Sequence, residues 1–199
     1  MSLLSLKSIP GYVEAVEREQ NQREFAFTDA PVPLCGIHVR QLTLHHLLVL
    51  MQCENAFVRG GEIGVEDIAF FLWVISPDYC MNNDAARAAF MRGIVAIKYR
   101  EAVAAINAFI GEAFMDSPGG RGVDGKSYMS FVAVYVDIFA SEYGWETDYI
   151  THQPIARLMQ LVKCIRLRKK PGAIMFNPSD RIITDYLTEL NHANSGGRN

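Results

Sequence analysis

The sequence predicts an all-α protein, built as a single helical domain of about seven helices with a long central helix. Apolar residues recur at helical spacing through most of the chain, and only residues 25–40 read as a small β element. Half of the 199 residues are apolar and 11% are aromatic. This composition supplies a sizeable core and excludes intrinsic disorder.

The N-terminal third predicts two helices separated by an extended segment. Residues 11–22 are rich in helix formers and predict a short exposed helix. Residues 25–40 contain prolines and β-branched residues, which favour an irregular extended segment or one edge hairpin. Thr43 can cap a helix over 44–54. The apolar face predicted for that helix is formed by Leu44, Leu47, Leu48 and Met51.

The middle of the chain predicts a short helix followed by a long one. A helix over 65–75 is stopped by Ser76 and Pro77. Asn83 can cap a helix over 84–115, which would span roughly 48 Å if unbroken. Its many alanines favour a helix, whereas Gly93 and Gly111 are weak points.

The C-terminal part predicts further helices after a glycine-rich loop. Residues 128–143 read as a buried helix, although 131–136 carry enough β-formers for a strand. Gly144 supplies a C-cap. Pro154 fits the opening of a helix that runs to about Arg168, and a last helix is expected over 177–190.

The domain organisation follows from these elements. Residues 1–194 are expected to form one domain and 195–199 a disordered tail. Within the domain the expected parts are an N-terminal arm (1–40), a first helical half (41–115), a flexible loop (116–127) and a second helical half (128–194).

Charge and cysteine usage limit the function classes. The formal net charge is -3, so the chain lacks the basic character of a nucleic-acid binder. Its four cysteines form no C-x-x-C pair, and no apolar run reaches the length of a membrane span. We therefore expect a protein of the cytoplasm, with neither nucleic acid nor membrane as a partner. A homo-oligomer is compatible with several helices that are apolar on more than one face.

No catalytic, metal or cofactor site is predicted. The signatures G-x-S-x-G and H-E-x-x-H do not occur in the sequence. His45 and His46 are adjacent on a predicted helix, so their imidazoles point about 100° apart and do not share a metal easily. We expect partly buried or surface histidines there, and a protein that is not an enzyme.

One stretch spells a phosphate-binding loop, with Gly120, Gly125, Lys126 and Ser127 in the pattern G-x-x-x-x-G-K-S. Such a loop works when a buried strand precedes it and a helix follows it. Here the preceding residues have a helical pattern, and the one β-like run (131–136) follows the loop. We interpret the stretch as a glycine-rich hinge, with nucleotide binding as the alternative.

A basic cluster near the end of the helix over 154–168 is the candidate partner-binding site. Its members are Arg157, Lys163, Arg166, Arg168, Lys169 and Lys170. Cations at a helix C-terminus complement the helix dipole, and they can equally dock an acidic protein partner or phosphate. The apolar face of the same helix is predicted to be Ile155, Leu158, Met159, Val162 and Ile165.

Two stretches resemble small helical tail assembly chaperones of tailed bacteriophages and prophages. The first runs from LTLHHLLVL (42–50) through NAFVRGG (55–61) to VEDIAFFLW (65–73). The second is YGWETDYI (143–150) followed by PIARLMQL (154–161). The shared residues are packing residues, with Gly144 reversing the chain, Trp145 burying a ring and Pro154 fixing the next helix.

The resemblance implies binding without catalysis. A tail assembly chaperone holds the long tape-measure protein and presents it to tail-tube subunits in the host cytoplasm. The glycine loop at 116–126 and the high apolar content depart from that pattern. A permanent structural or connector component of a virus particle is therefore the alternative.

Overall fold

Helices form most of the chain in the computed structural model, together with one small antiparallel sheet. The structure describes residues 9–93, 98–115 and 130–170, and in addition residues 182–184, 186 and 188. The elements are α1 (Tyr12–Phe25), β1 (Val32–Leu34), β2 (Ile37–Val39), α2 (Leu44–Gln52), α3 (Ala56–Arg59), α4 (Val65–Val74), α5 (Asp84–Gly93), α6 (Tyr99–Ala113), α7 (Phe131–Tyr143), α8 (Thr147–His152) and α9 (Ile155–Lys169). The mainly α class predicted from the sequence is confirmed.

The sheet is a single hairpin, which lies within the segment expected to hold a small β element. Strands β1 and β2 pair antiparallel, with Val32 opposite Val39. Their turn is Cys35 and Gly36, with φ of 52° and 80°. Two consecutive positive φ angles are typical of the tight turns that match the twist of paired strands.

The helix caps predicted from the sequence are present: two side chains cap helix N-termini, and a glycine caps a C-terminus. Thr43 Oγ1 accepts from the backbone N–H of His46 at 3.2 Å, and Asn83 Oδ1 accepts from that of Ala86 at 2.9 Å. At the end of α7, Gly144 has φ 67°. The two side-chain hydrogen bonds satisfy backbone N–H groups that a helix start leaves unpaired, and the left-handed backbone of Gly144 ends α7.

The unbroken helix predicted over 84–115 is wrong. The structure describes helix α5 as far as Gly93, and Lys98, which precedes α6, has an extended backbone with ψ 125°. The break lets α6 turn toward α4, and the Tyr99 hydroxyl donates to the carbonyl of Ile63 at 2.7 Å. Ile106 and Phe109 are then buried. Tertiary packing therefore outweighs the helix-forming alanines here.

The apolar face predicted for α2 is partly wrong. Leu44 and Leu47 are buried, but Leu48 is half-buried and Met51 is 38% exposed. The remaining buried side chains of the helix are His46, Val49 and Leu50. Because α2 is apolar nearly all round, spacing did not determine which face points inward. Its contacts with α3, α4 and α8 determine that face.

Residues 130–170 follow their predictions closely, whereas the helix expected over 177–190 lies mostly outside the described residues. Residues 131–143 form helix α7, so the strand alternative is wrong. In α9 the buried side chains are those of the predicted apolar face: Ile155, Leu158, Met159, Val162 and Ile165. They pack toward α1 and α6. Pro154 stands just before α9, and Ile155 N–H donates to the carbonyl of Leu42 at 2.9 Å. None of the helices in the described ranges is long and apolar enough to cross a membrane.

Gly144→Ala and Gly111→Ala are expected to change stability in opposite directions. Gly144 has φ 67°, so alanine there should cost about 1 kcal/mol of unfolding free energy. Gly111 lies inside α6 with ordinary helical φ and open space around it. Alanine there should raise the free energy of unfolding by about 0.5–1 kcal/mol. Urea denaturation of both variants measures this. Shifts of the same sign would contradict the assigned backbone at one of the two positions.

Candidate partner-binding face

An aromatic stack holds the turn between α7 and α8. The Trp145 ring lies 5.5 Å from that of Phe139 and 5.1 Å from that of Tyr143, with interplanar angles of 11° and 25°. Tyr149, on α8, meets Trp145 nearly edge-on at 5.1 Å. Stacked and edge-on aromatic pairs stabilise beyond the area that they bury. The turn at Gly144 is therefore a rigid unit.

The stack continues along α7 and joins that helix to α9. The rings of Tyr135 and Phe139 lie 6.5 Å apart, and the Tyr135 hydroxyl donates to Met159 Sδ at 3.0 Å. Burial raises the pKa of Tyr135, and the positive charge of Arg166 partly opposes that rise. A buried, hydrogen-bonded Tyr135 thus ties α7 to the first half of α9.

The last turns of α9 carry a group of cations that we call the basic end: Arg166, Arg168, Lys169 and Lys170. Two of these are anchored to α7. The Glu142 carboxylate pairs with Arg168 at 3.6 Å and also with Lys169. The Arg168 guanidinium additionally lies 5.5 Å from the centre of the Tyr143 ring and donates to its hydroxyl at 3.5 Å. Glu142 and Tyr143 therefore position half of the basic end.

The other half of the basic end remains available for a partner. Arg166 and Lys170 are exposed and have no acidic partner among the described residues. Between them along the helix, Leu167 is 44% exposed. Exposed surface ion pairs are worth little, so even Arg168 and Lys169 can exchange Glu142 for another carboxylate at small cost. The basic end thus combines surplus positive charge with an exposed aliphatic side chain.

The structure does not bring all six predicted cations together. Arg157 lies at the opposite end of α9, where its Nε donates to the carbonyl of Ala26 at 3.0 Å and its Nη1 to Gln153 Oε1 at 2.6 Å. It also lies over the Phe27 ring. Arg157 thus holds the segment after α1 in place. Lys163 is half-buried and already has an interaction of its own. We therefore restrict the candidate face to the basic end.

Sequence reasoning missed the partners of the basic end. Glu142 and Tyr143 lie about 25 positions before the cations that they hold, so no local spacing pairs them. Their position beside the Gly144 turn is a usable signal. A chain that reverses there brings the end of α7 close to the helix after α8.

The phosphate-loop spelling at Gly120, Gly125, Lys126 and Ser127 lies outside the described residues. The structure does describe the residues on either side of it, 98–115 and 130–170. Helix α6 precedes it and helix α7 follows it, and the sheet found in the described ranges is a two-stranded antiparallel hairpin distant in sequence. A phosphate loop is ordinarily delivered by a strand of a parallel sheet. No such strand lies in residues 98–115.

Metal binding has no candidate in the described part of the chain. No group of three or more histidine, cysteine, aspartate or glutamate side chains there is placed to hold an ion. His45 and His46 lie with their ring centres 6.4 Å apart and interplanar angle 62°, as expected for adjacent helix positions.

Comparisons with known proteins found no relative of this chain. No family model, curated protein or solved structure matches this chain.

Proposed function

We propose that this chain is a non-enzymatic assembly protein of a bacteriophage or prophage tail, which binds the tape-measure protein through the basic end of α9. The observation that carries the proposal is the basic end itself. It offers four cations beside one carboxylate, with Leu167 exposed among them. Such a surface suits an acidic helical segment with an apolar stripe.

Rigidity of the supporting structure favours a binding role. The Gly144 turn, the Trp145 stack and the Tyr135–Met159 contact fix α7, α8 and α9 relative to one another. A rigid surface loses little conformational entropy on association. The same segment, 143–161, holds the second of the two stretches that resemble tail assembly chaperones.

The function is tested by co-expression of this chain with the tape-measure protein encoded in the same genome. Affinity-tagged wild-type chain should retain the tape-measure protein through purification. The variant Arg166→Glu/Lys170→Glu should retain at least ten-fold less, because two attractive charges become repulsive. Neither cation has an acidic partner in the described structure, so the fold should persist.

The matched control is Arg92→Glu/Arg100→Glu, which reverses two exposed cations on α5 and α6. It makes the same change in net charge and should retain the tape-measure protein as the wild type does. Equal losses in both variants would show a general charge effect and would contradict the proposed face.

The alternative, a permanent component of the particle, makes a different prediction. A chaperone should be absent from finished particles, whereas a structural or connector protein should be present at a fixed number of copies. Quantitative mass spectrometry of purified particles separates the two. Nucleotide binding through Lys126 is the remaining alternative, and ATP binding that Lys126→Ala abolishes would replace both.

A further inference from the structure

Three histidines meet where α2 contacts α8. The rings of His45 and His152 stack at 4.6 Å with an interplanar angle of 21°. His46, the next residue of α2, is buried, with 5% of its surface exposed. We call these three residues the histidine junction. Stacking two imidazoles is favourable when both are neutral, and it becomes repulsive when both carry a proton.

His46 has a structural role that only its neutral form can perform. Its Nδ1 accepts from the backbone N–H of Thr43 at 3.3 Å, while Thr43 Oγ1 accepts from the N–H of His46. This is a capping box in which histidine occupies the place usually taken by Glu or Gln. A protonated imidazole donates at both nitrogens, so it cannot accept from Thr43. Protonation therefore removes one of the two hydrogen bonds of the capping box at the start of α2.

The start of α2 also adjoins the start of α9. Thr43 forms an isolated β-bridge with Pro154, and the backbone of Leu42 accepts from Ile155. His152 ends α8 two residues earlier, and its Nδ1–H donates to the carbonyl of Asp148 at 2.8 Å. A structural change at His46 or His152 therefore alters the contacts where α2, α8 and α9 meet.

We propose that the histidine junction is an acid-sensitive latch, which holds α8 against α2 while the imidazoles of His45 and His46 are neutral and releases α8 when these two take up protons. The charged and titratable groups that act on it are few. His152 and Asp148 on α8 act on His45, and the Asp148 carboxylate also lies 3.4 Å from Nδ1 of His152. Arg40, before α2, acts on His46 together with His45 and His152.

The electrostatics of the junction give the direction of the effect. Burial lowers the pKa of His45, His152 lowers it further, and Asp148 partly opposes both. The pKa of His46 is lowered to about 3, first by burial and then by the charges of His45, Arg40 and His152. A hydrogen bond with the backbone of Gln41 partly opposes this lowering. A folded pKa below the usual 6.5 means that the open form takes up protons first. The latch is therefore fully closed above about pH 6.5 and weakens as pH falls below it, by up to ten-fold per pH unit for each of His45 and His46.

Hydrogen–deuterium exchange at pH 7.5 and 5.5, corrected for intrinsic exchange rates, tests the latch. In the wild type, peptides covering 44–52 and 147–152 should lose at least ten-fold protection at pH 5.5, whereas peptides from α6 should not. The variant His45→Gln/His152→Gln should show a pH effect at least three-fold smaller than that of the wild type, because of the three junction histidines only His46 remains. His38→Gln, which removes an exposed histidine of β2, should behave as the wild type does.

Three results would overturn the latch: equal protection of α8 at both pH values, simultaneous loss in α6, or an undiminished pH effect in the double variant. If the double variant is already open at pH 7.5, His46→Gln decides, because glutamine can still accept from Thr43. A pH effect at least three-fold smaller in that variant supports the latch, and an unchanged effect contradicts it.

Discussion

Replacing Phe139 with alanine is expected to destabilise the protein by about 3–5 kcal/mol. The ring is fully buried, with 0% of its surface exposed. It stacks against Trp145 and Tyr143 and lies next to Tyr135. Its loss leaves a cavity at the turn between α7 and α8 and removes three aromatic pairs. Urea denaturation followed by circular dichroism measures the change.

The matched control is Phe131→Ala on the same helix. Phe131 is 41% exposed, so its truncation should cost less than half as much as that of Phe139. If the two variants lost equal stability, the stack around Phe139 would not be the packing centre of the second half of the chain.

Asn55→Ala is expected to cost about 2–3 kcal/mol, which is large for a polar residue. Asn55 is 2% exposed, and its Nδ2 donates to the carbonyl of Asp67 at 2.9 Å while its Oδ1 accepts from Phe57 N–H at 3.2 Å. Asp67 in turn accepts from Ala56 N–H at 3.0 Å and Gly64 N–H at 2.8 Å. This network fixes α3 against α4, and alanine would leave its buried polar groups unpaired.

Asn83→Ala is the control for Asn55→Ala, because both residues cap a helix. Asn83 is exposed and accepts one bond, from Ala86 N–H, so its loss should cost only about 0.5–1 kcal/mol. Thermal and urea denaturation of the two variants give the comparison. A cost at Asn55 no larger than that at Asn83 would show that the Asn55–Asp67 network adds nothing beyond a cap.

Local signals in the sequence predicted those elements whose causes are local. Thr43, Asn83 and Gly144 act within one turn of their helix, so their caps were visible from residue type and spacing. The buried face of α9 was also predicted, because charged residues occupy its other positions. Where polar and apolar positions alternate clearly, periodicity determines which face packs inward.

The errors occurred where distant contacts decide the structure. Lys98 has an extended backbone, and the following Tyr99 contacts Ile63, 36 positions earlier in the chain. Helix propensity is a local quantity and carries no information on such a contact. In α2, apolar residues occur on every side of the helix. Its contacts with neighbouring helices, and not the spacing of its apolar residues, therefore determine that Met51 is exposed and His46 is buried. Propensity is a weak guide when packing opposes it.

The candidate site was predicted only in part, for the same reason. The cations of α9 are adjacent in sequence and therefore visible, but the sequence grouped Arg157 with them although it lies at the other end of the helix. Glu142 and the ring of Tyr143 were not expected as partners of Arg168. His46 was read as one of two adjacent histidines, and its role in the capping box of α2 depends on side-chain geometry.

The most direct test of the proposed function is calorimetric titration of this chain with the purified tape-measure protein at several salt concentrations. We expect saturable binding whose Kd rises with salt and is at least ten-fold weaker for Arg166→Glu/Lys170→Glu than for the wild type or for Arg92→Glu/Arg100→Glu. Absence of binding, or equal Kd values for all three proteins, would contradict a role of the basic end of α9 in tail assembly.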